Sequence, residues 1–210
     1  MQGLVFRCAS GLRGFCNLRL SILLRASAGL RQSACAAVTA VLWALAPLPA
    51  AAQSLIEELK LGVLYHDASH VWSGFRLEQE SADINVEALL KPSFPGLFFG
   101  TIRPAIGATI STVGATSHGY AGLRWQTELG SGFFLGVGLG AAVHDGHLLP
   151  DSWRHKALGS RVLFHIPAEL GYRIDQHNSI SLYFEHTSNA WLARYNEGLD
   201  RIGLRYGYKF

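Results

Sequence analysis

The chain has 210 residues, of which 49% are hydrophobic and only 16% charged, a length that allows one domain or one barrel. Its formal charge of +3 arises in the first 31 residues, which hold five arginines and no acidic residue, whereas residues 53–210 carry 13 basic and 15 acidic side chains. Because the charge of residues 53–210 is nearly balanced, nothing favours a nucleic-acid-binding protein.

The first 52 residues have the pattern of a secretory signal peptide. A basic segment precedes an apolar run at 36–48, and small residues then offer a cleavage site after Ala52. The alternative, a membrane anchor, needs about 20 apolar residues to span the bilayer. All three cysteines, Cys8, Cys16 and Cys35, lie in this segment. We therefore expect residues 53–210 to form the mature domain, without a disulfide or a cysteine metal site.

Alternation of apolar and polar residues dominates the mature part of the chain. Eight segments show a two-residue period or a looser form of it, which is typical of β-strands. They lie at about 59–66, 82–90, 103–112, 121–129, 133–143, 161–170, 180–188 and 200–210. Each is about 8–12 residues long, the length of a tilted strand that crosses a bilayer.

A soluble sandwich and a membrane barrel both produce this alternation. The barrel is favoured because the polar faces combine glycines with charges of both signs, as the narrow interior of an eight-stranded barrel requires. These charges are Asp83, Glu87, Arg124, Glu128, Arg161, Glu169, Arg201 and Arg205. Aromatic residues near strand ends, such as Trp72 and Trp191, are typical of membrane interfaces. We predict an all-β fold, an eight-stranded antiparallel up-and-down transmembrane β-barrel.

An even number of strands, with both chain termini in the periplasm, gives four external loops and three periplasmic turns. The segments at 67–80, 113–118, 145–159 and 189–199 are expected to be external loops, and those at 91–101, 130–131 and 175–178 periplasmic turns. The last residues, Tyr206-x-Tyr208-x-Phe210, resemble the signal by which the barrel-assembly machinery recognises outer-membrane barrels. The expected location is the cell outer membrane.

A histidine, a serine and an aspartate fall on one apolar face of the last two predicted strands. Positions 180, 182, 184, His186 and Ser188 share a face of the first strand, and Asp200 opens the equivalent stripe of the second. An antiparallel hairpin brings Asp200 close to His186 and Ser188. His186 is then a candidate base for Ser188, Asp200 the acid that orients it, and Asn189 a donor to an oxyanion.

The alternative interpretation of the His-x-Ser pair is a polar decoration of the membrane interface. Ionisable groups on a lipid-facing stripe are costly, however, and a catalytic site for a lipid ester gives them a reason to be there. A substrate of this kind is expected to approach sideways from the bilayer. The chemistry needs no cofactor and no metal, because the serine is activated by a neighbouring base.

The stretch Phe184-Glu185-His186-Thr187-Ser188-Asn189-Ala190 and the terminal aromatic strand resemble the outer-membrane lipid A deacylases of the PagL type. The resemblance is strong over 183–210 and architectural over 55–182. It implies hydrolysis of an ester-linked, 3-O hydroxyacyl chain of lipopolysaccharide. It also implies His186 as base, Ser188 as nucleophile, Asn189 as oxyanion donor and Asp200 as acid.

Two positions depart from the pattern of that family. Its acid is typically glutamate, which leaves Glu197 as a second candidate beside Asp200. Trp191 stands where a small residue is expected. The expected partners are lipid A and the surrounding membrane lipid, with a homodimer left open and no nucleic acid.

Two other functions remain open from the sequence. One is a non-catalytic structural or adhesive barrel, and the other is a barrel esterase that acts on phospholipid or on a secondary acyl chain. His144 and His147 are a weak candidate metal pair in a polar loop. Arg154, Lys156 and Arg194 are candidates for contacting lipid A phosphates.

Overall fold

The computed structural model describes residues 55–69, 71–73 and 78–210. The expected signal peptide and its cleavage after Ala52 lie outside the described residues. No helix in the described part of the chain is long and apolar enough to cross a membrane.

Eight long strands and one short strand form a single closed sheet. They are β1 Ile56–His66, β2 Ala82–Leu90, β3 Phe94–Pro95, β4 Thr101–Ser111, β5 His118–Gly130, β6 Phe133–His144, β7 Val162–Arg173, β8 Asn178–Ser188 and β9 Leu199–Lys209. Each long strand pairs antiparallel with its neighbours in sequence, and β1 pairs with β9 to close the barrel. The predicted eight-stranded antiparallel barrel is confirmed.

The four connections at 67–81, 112–117, 145–161 and 189–198 lie at one end of the barrel, since the strands alternate in direction. The long connection after β2 lies at the other end, where β3 pairs with β4 through Phe94 and Ile102. Its length has a structural reason, because this short hairpin continues the barrel wall beyond the end of β2.

Charged side chains fill the barrel interior. Arg205 lies 2.8 Å from Glu169 and 3.3 Å from Glu87, and Lys60 lies 2.7 Å from Glu169. Arg124 contacts Glu87 as well. All of these side chains are buried. Ion pairs rather than apolar packing therefore hold the interior together.

Two of the predicted interior charges do not lie in the interior. Arg161 is exposed before the start of β7 and donates to the carbonyl oxygens of His144 and Gly146. Glu128 is exposed near the end of β5, 3.6 Å from Arg173. Both lie at strand ends, where the alternation continues in the sequence after the wall of the barrel has ended.

Candidate active site

Ser188, His186 and Asp200 form one hydrogen-bonded chain at the loop end of β8 and β9. His186 Nε2 lies 2.9 Å from Ser188 Oγ, and His186 Nδ1 lies 2.6 Å from Asp200 Oδ1. The two strands place these side chains on the outward face, because Arg201 and Glu185 beside them point into the barrel. The structure thus brings together the three residues that the sequence analysis selected.

The partners of the histidine define its tautomer. An ionised carboxylate can only accept, so Nδ1 carries the proton that is donated to Asp200. Nε2 is then free to accept the hydrogen of the Ser188 hydroxyl. This is the arrangement that a histidine needs to act as a general base toward a serine.

An aspartate is long enough for this contact because of the strand register. His186 and Asp200 are directly opposite each other in the β8–β9 pair. Directly opposed residues have Cβ atoms about 4.5–5.5 Å apart, so a one-methylene side chain reaches the ring. The second candidate, Glu197, accepts a hydrogen bond from the backbone N–H of Ala157 at 2.6 Å.

The site is covered by loops rather than open to lipid. His186 is 5% exposed and Ser188 8% exposed, although the pleat of β8 directs both outward. The indole of Trp72, in the loop after β1, stacks on the imidazole of His186 with ring centroids 4.4 Å apart and planes 9° apart. The expected sideways approach from the bilayer must therefore pass these loops.

Asn189 ties two loops together. Its Nδ2 donates to the carbonyl oxygens of Leu158 and Tyr195, at 2.8 and 2.6 Å, and its backbone N–H donates to Asn196 Oδ1. All the donors of this residue are thus engaged within the protein. The next residue, Ala190, has a φ of 52°, in the left-handed region. Backbone strain of this kind is frequent at functional sites.

The described ends of the loop after β1 join a buried polar cluster. Lys156 Nζ lies 2.6 Å from Asp67, and Glu78 accepts from His66, from Thr116 and from the backbone of Lys156. Burial alone would raise the pKa of Glu78, but the hydrogen bonds from His66, Lys156 and Thr116 lower it to about 2. Lys156 is fully buried, so the expectation that it contacts lipid phosphates is wrong. Exposed cations remain at Arg154 and Arg194.

Two groups of histidines and carboxylates bring possible metal ligands together. His147 and His155 stack in parallel, 4.0 Å apart, and both direct Nδ1 toward Asp151. Parallel rings direct their lone pairs in parallel, whereas one metal ion needs lone pairs that converge. His144 donates to the carbonyl oxygen of Ser160 instead of joining His147.

The second cluster lies inside the barrel and contains His118, His165 and Glu185. Arg201 donates to His118 Nδ1 at 2.9 Å, and Arg124 lies 3.5 Å from His165 Nδ1. A cation at this position would face two guanidinium groups. The cluster is accordingly read as part of the interior ion-pair network.

An apolar groove lies next to Ser188. Its volume is about 230 Å³, and its lining includes Ala141, Val162, Phe164 and Leu192. Phe164 on β7 is directly opposite Ser188 on β8, so the groove begins beside the serine. It lies on the β7 side of the serine, whereas Asp200 lies on the β9 side.

The residues that cover and brace the site were not predicted from the sequence. Trp72 was interpreted as an interfacial aromatic, and Gly159 was not selected at all. Gly159 has a φ of 72°, and a Cβ atom there would lie 1.9 Å from the carbonyl oxygen of Tyr195. The only signal in the sequence was a glycine near the end of a predicted external loop.

Comparison with known proteins assigns the family. The family model for lipid A 3-O-deacylase (PagL) matches residues 59–209. The lipid A deacylase PagL of Bordetella bronchiseptica is 36% identical over 87 residues. This alignment covers 41% of the chain and 46% of the relative, so it spans less than half of that protein.

The fold is similar to that of a solved structure. The crystal structure of the outer membrane enzyme PagL aligns with a TM-score of 0.51 and 17% identity, over 72% of this chain and 99% of that one. At this identity the likeness concerns the fold alone. The family match extends over most of the barrel, including both strands of the candidate site. The chain therefore belongs to the lipid A 3-O-deacylase (PagL) family of outer-membrane β-barrels.

Proposed function

We propose that the protein is a serine esterase that hydrolyses the 3-O-linked hydroxyacyl chain of lipid A in the outer leaflet. The observation that supports this most directly is the hydrogen-bonded chain Ser188–His186–Asp200 on the outward face of the barrel. The family match supplies the substrate class. Lipopolysaccharide occupies the leaflet toward which the loop end of the barrel is expected to point.

The proposed reaction has two halves. Ser188 Oγ attacks the ester carbonyl carbon while His186 Nε2 takes the hydroxyl proton. The carbon–oxygen bond to the sugar then breaks, and His186 returns the proton to the departing sugar hydroxyl. Water, deprotonated by His186, attacks the acyl-serine; the bond to Ser188 Oγ breaks, His186 returns the proton to Ser188 Oγ and the fatty acid leaves. Asp200 stabilises the imidazolium that forms twice in this cycle.

Asn189 is proposed as the donor to the tetrahedral oxyanion. It directly follows the nucleophile, but its amide hydrogens are held by Leu158 and Tyr195 in this conformation. To donate to the oxyanion, Asn189 must therefore exchange one of these internal hydrogen bonds for a hydrogen bond to the substrate oxygen. Rearrangements of this kind on substrate binding are common, because catalytic hydrogen bonds are frequently incomplete in the free enzyme.

The groove beside Ser188 is proposed to receive the hydroxyacyl chain. Its lining is largely apolar, and it lies on the β7 side of Ser188, away from Asp200. A chain in this groove places its ester carbonyl next to Ser188 and directs the sugar toward the loops. Arg154 and Arg194 are exposed on two of these loops and are suited to contact lipid A phosphates.

The test is mass spectrometry of lipid A from cells that express the wild type, Ser188→Ala or His186→Ala. Loss of one hydroxyacyl mass is expected only with the wild type. His177→Ala serves as the control, because His177 is exposed in the turn at the opposite end of the barrel. Folding of each variant is checked by the heat-dependent change in gel mobility.

Three results would contradict the proposal. Unchanged lipid A with folded wild type would favour a non-catalytic barrel. Appearance of lysophospholipid, with intact lipid A, would favour a phospholipid substrate. Loss of a secondary acyl chain would keep the esterase but move its position of attack.

A further inference from the structure

The triad acid is held by the first external loop as well as by the histidine. Asp200 Oδ2 accepts from the backbone N–H groups of Trp72 and Ser73, at 2.7 and 2.6 Å. The backbone carbonyl of Asp200 accepts from the N–H of Ala68 at 2.9 Å. The carboxylate therefore lies between loop and histidine, with its second oxygen fixed by two adjacent donors.

The same loop delivers an aromatic ring to the base. Trp72 lies parallel to His186 at van der Waals separation, and 59% of its surface is still exposed on the outer side. The ring thus separates one face of the imidazole from the surrounding lipid or water. A stacked indole restricts rotation of the imidazole out of the plane that aims Nε2 at Ser188.

The indole also faces the charge that catalysis creates. His186 becomes an imidazolium when it takes the serine proton, and the face of tryptophan is the strongest aromatic partner for a cation. An interaction that strengthens as charge develops accelerates the chemical step rather than tightening substrate binding. The effect is expected in kcat.

We propose that Trp72 is a positioning residue of the esterase, which orients His186 through its stacked indole while its loop clamps Asp200. The inference rests on the proposed function. Substrate is then expected to enter from the side of the apolar groove, because the backbone of Trp72 is bonded to Asp200 on the β9 side, whereas the groove lies on the β7 side.

The experiment measures nucleophile activation without lipid. Purified barrel in detergent reacts with a small soluble fluorophosphonate, in which Ser188 Oγ forms a bond to phosphorus, fluoride leaves and His186 takes the hydroxyl proton. The rate of this labelling is compared for wild type, Trp72→Ala, Trp72→Leu and Trp72→Phe. Trp153→Ala is the matched control, since Trp153 is an exposed tryptophan on another loop of the same end.

In Trp72→Ala and Trp72→Leu, the labelling rate and the kcat for hydrolysis of lipid A should both fall about 10- to 100-fold. The KM for lipid A should be nearly unchanged. Trp72→Phe should restore most of the rate, and Trp153→Ala should match the wild type. Trp72→Leu carries the test alone if Trp72→Ala fails to fold, because it retains an apolar side chain.

Wild-type labelling rates in folded Trp72→Leu would overturn the inference. This holds also if the KM for lipid A rises in that variant, since the indole would then serve only as a membrane contact. A wild type that neither labels at Ser188 nor cleaves lipid A would overturn the proposed function itself. The two failures are therefore distinguishable.

Discussion

The Asp200 carboxylate lies between His186 and the main chain of the first external loop, and it accepts hydrogen bonds from both. Replacing it with asparagine retains the shape but allows the amide to present a donor to Nδ1, which favours the wrong tautomer of the histidine. Asp200→Asn should lower kcat on the order of 10³- to 10⁴-fold, as in other serine triads. The measurement is release of hydroxy fatty acid from purified lipid A.

Glu197→Gln is the matched control for this prediction. A glutamine still offers an oxygen to the N–H of Ala157, the contact that Glu197 makes now. Its activity should stay close to that of the wild type. The opposite ranking of the two variants would transfer the role of the acid to Glu197.

The residues of the triad could be predicted because they obey the strand period. His186 and Ser188 are two positions apart on β8, and register brings Asp200 opposite the histidine. The bonds of Asn189 and the stacking of Trp72 could not be predicted in the same way. They depend on the course of loops, for which the sequence contains no period.

At the scale of elements, the loop after β6 reaches the site through Gly159. The backbone there is left-handed, and a Cβ atom would collide with Tyr195 in the loop that holds Asn189. Gly159→Ala should therefore separate the two loops and lower turnover by more than about tenfold, since small displacements at a catalytic site are costly. The check is the rate of deacylation in folded protein.

Gly114→Ala separates the two causes in that experiment. Gly114 has a similarly positive φ of 81°, but no atom lies within 4 Å of the position of its Cβ. This variant carries the backbone strain without the collision. Equal losses in both variants would show that strain alone, and not the loop contact, explains the result.

The groove on β6 and β7 leads to a prediction about acyl chains. Ala141 lines it and faces outward, so a phenylalanine there should fill the space beside Ser188. Ala141→Phe should lower kcat/KM for a long-chain ester by about tenfold while sparing a short-chain ester. Leu139→Phe, on the same face of β6 but outside the lining, should alter neither. Equal losses for both chain lengths would place the acyl chain elsewhere.

The strands were easier to predict than their connections. All eight long strands appear close to the predicted positions, because a wall between lipid and a polar interior imposes strict alternation on each of them. The hairpin of β3 with β4 was not foreseen, since the segment at 91–101, which contains Pro92 and Pro95, was predicted only as a turn. Prolines are compatible with a short strand at a sheet edge.

The two faces of the barrel wall carry different kinds of side chain. The outer face carries most of the large apolar side chains, which remain exposed to the membrane, whereas Leu158, Leu163 and Leu199 form a small buried apolar cluster. Alternation in the sequence predicted which residues face inward along the strands but was wrong at the strand ends, for Arg161 and Glu128. The alternation did not predict which charged side chains form ion pairs, because these pairs cross the barrel between strands that are distant in sequence.

Replacement by alanine should destabilise the barrel more at Arg205 than at its neighbour Leu204 on β9. Its guanidinium lies within 3.3 Å of both Glu169 and Glu87 and is fully buried, so Arg205→Ala leaves two carboxylates with reduced compensation. Breaking a buried ion pair typically costs about 3–5 kcal/mol of unfolding free energy. Leu204→Ala removes a side chain that is 70% exposed on the outer face and should cost far less. Urea unfolding in detergent micelles, followed by gel mobility, compares the two, and a larger loss for Leu204→Ala would mean that the outer face dominates stability.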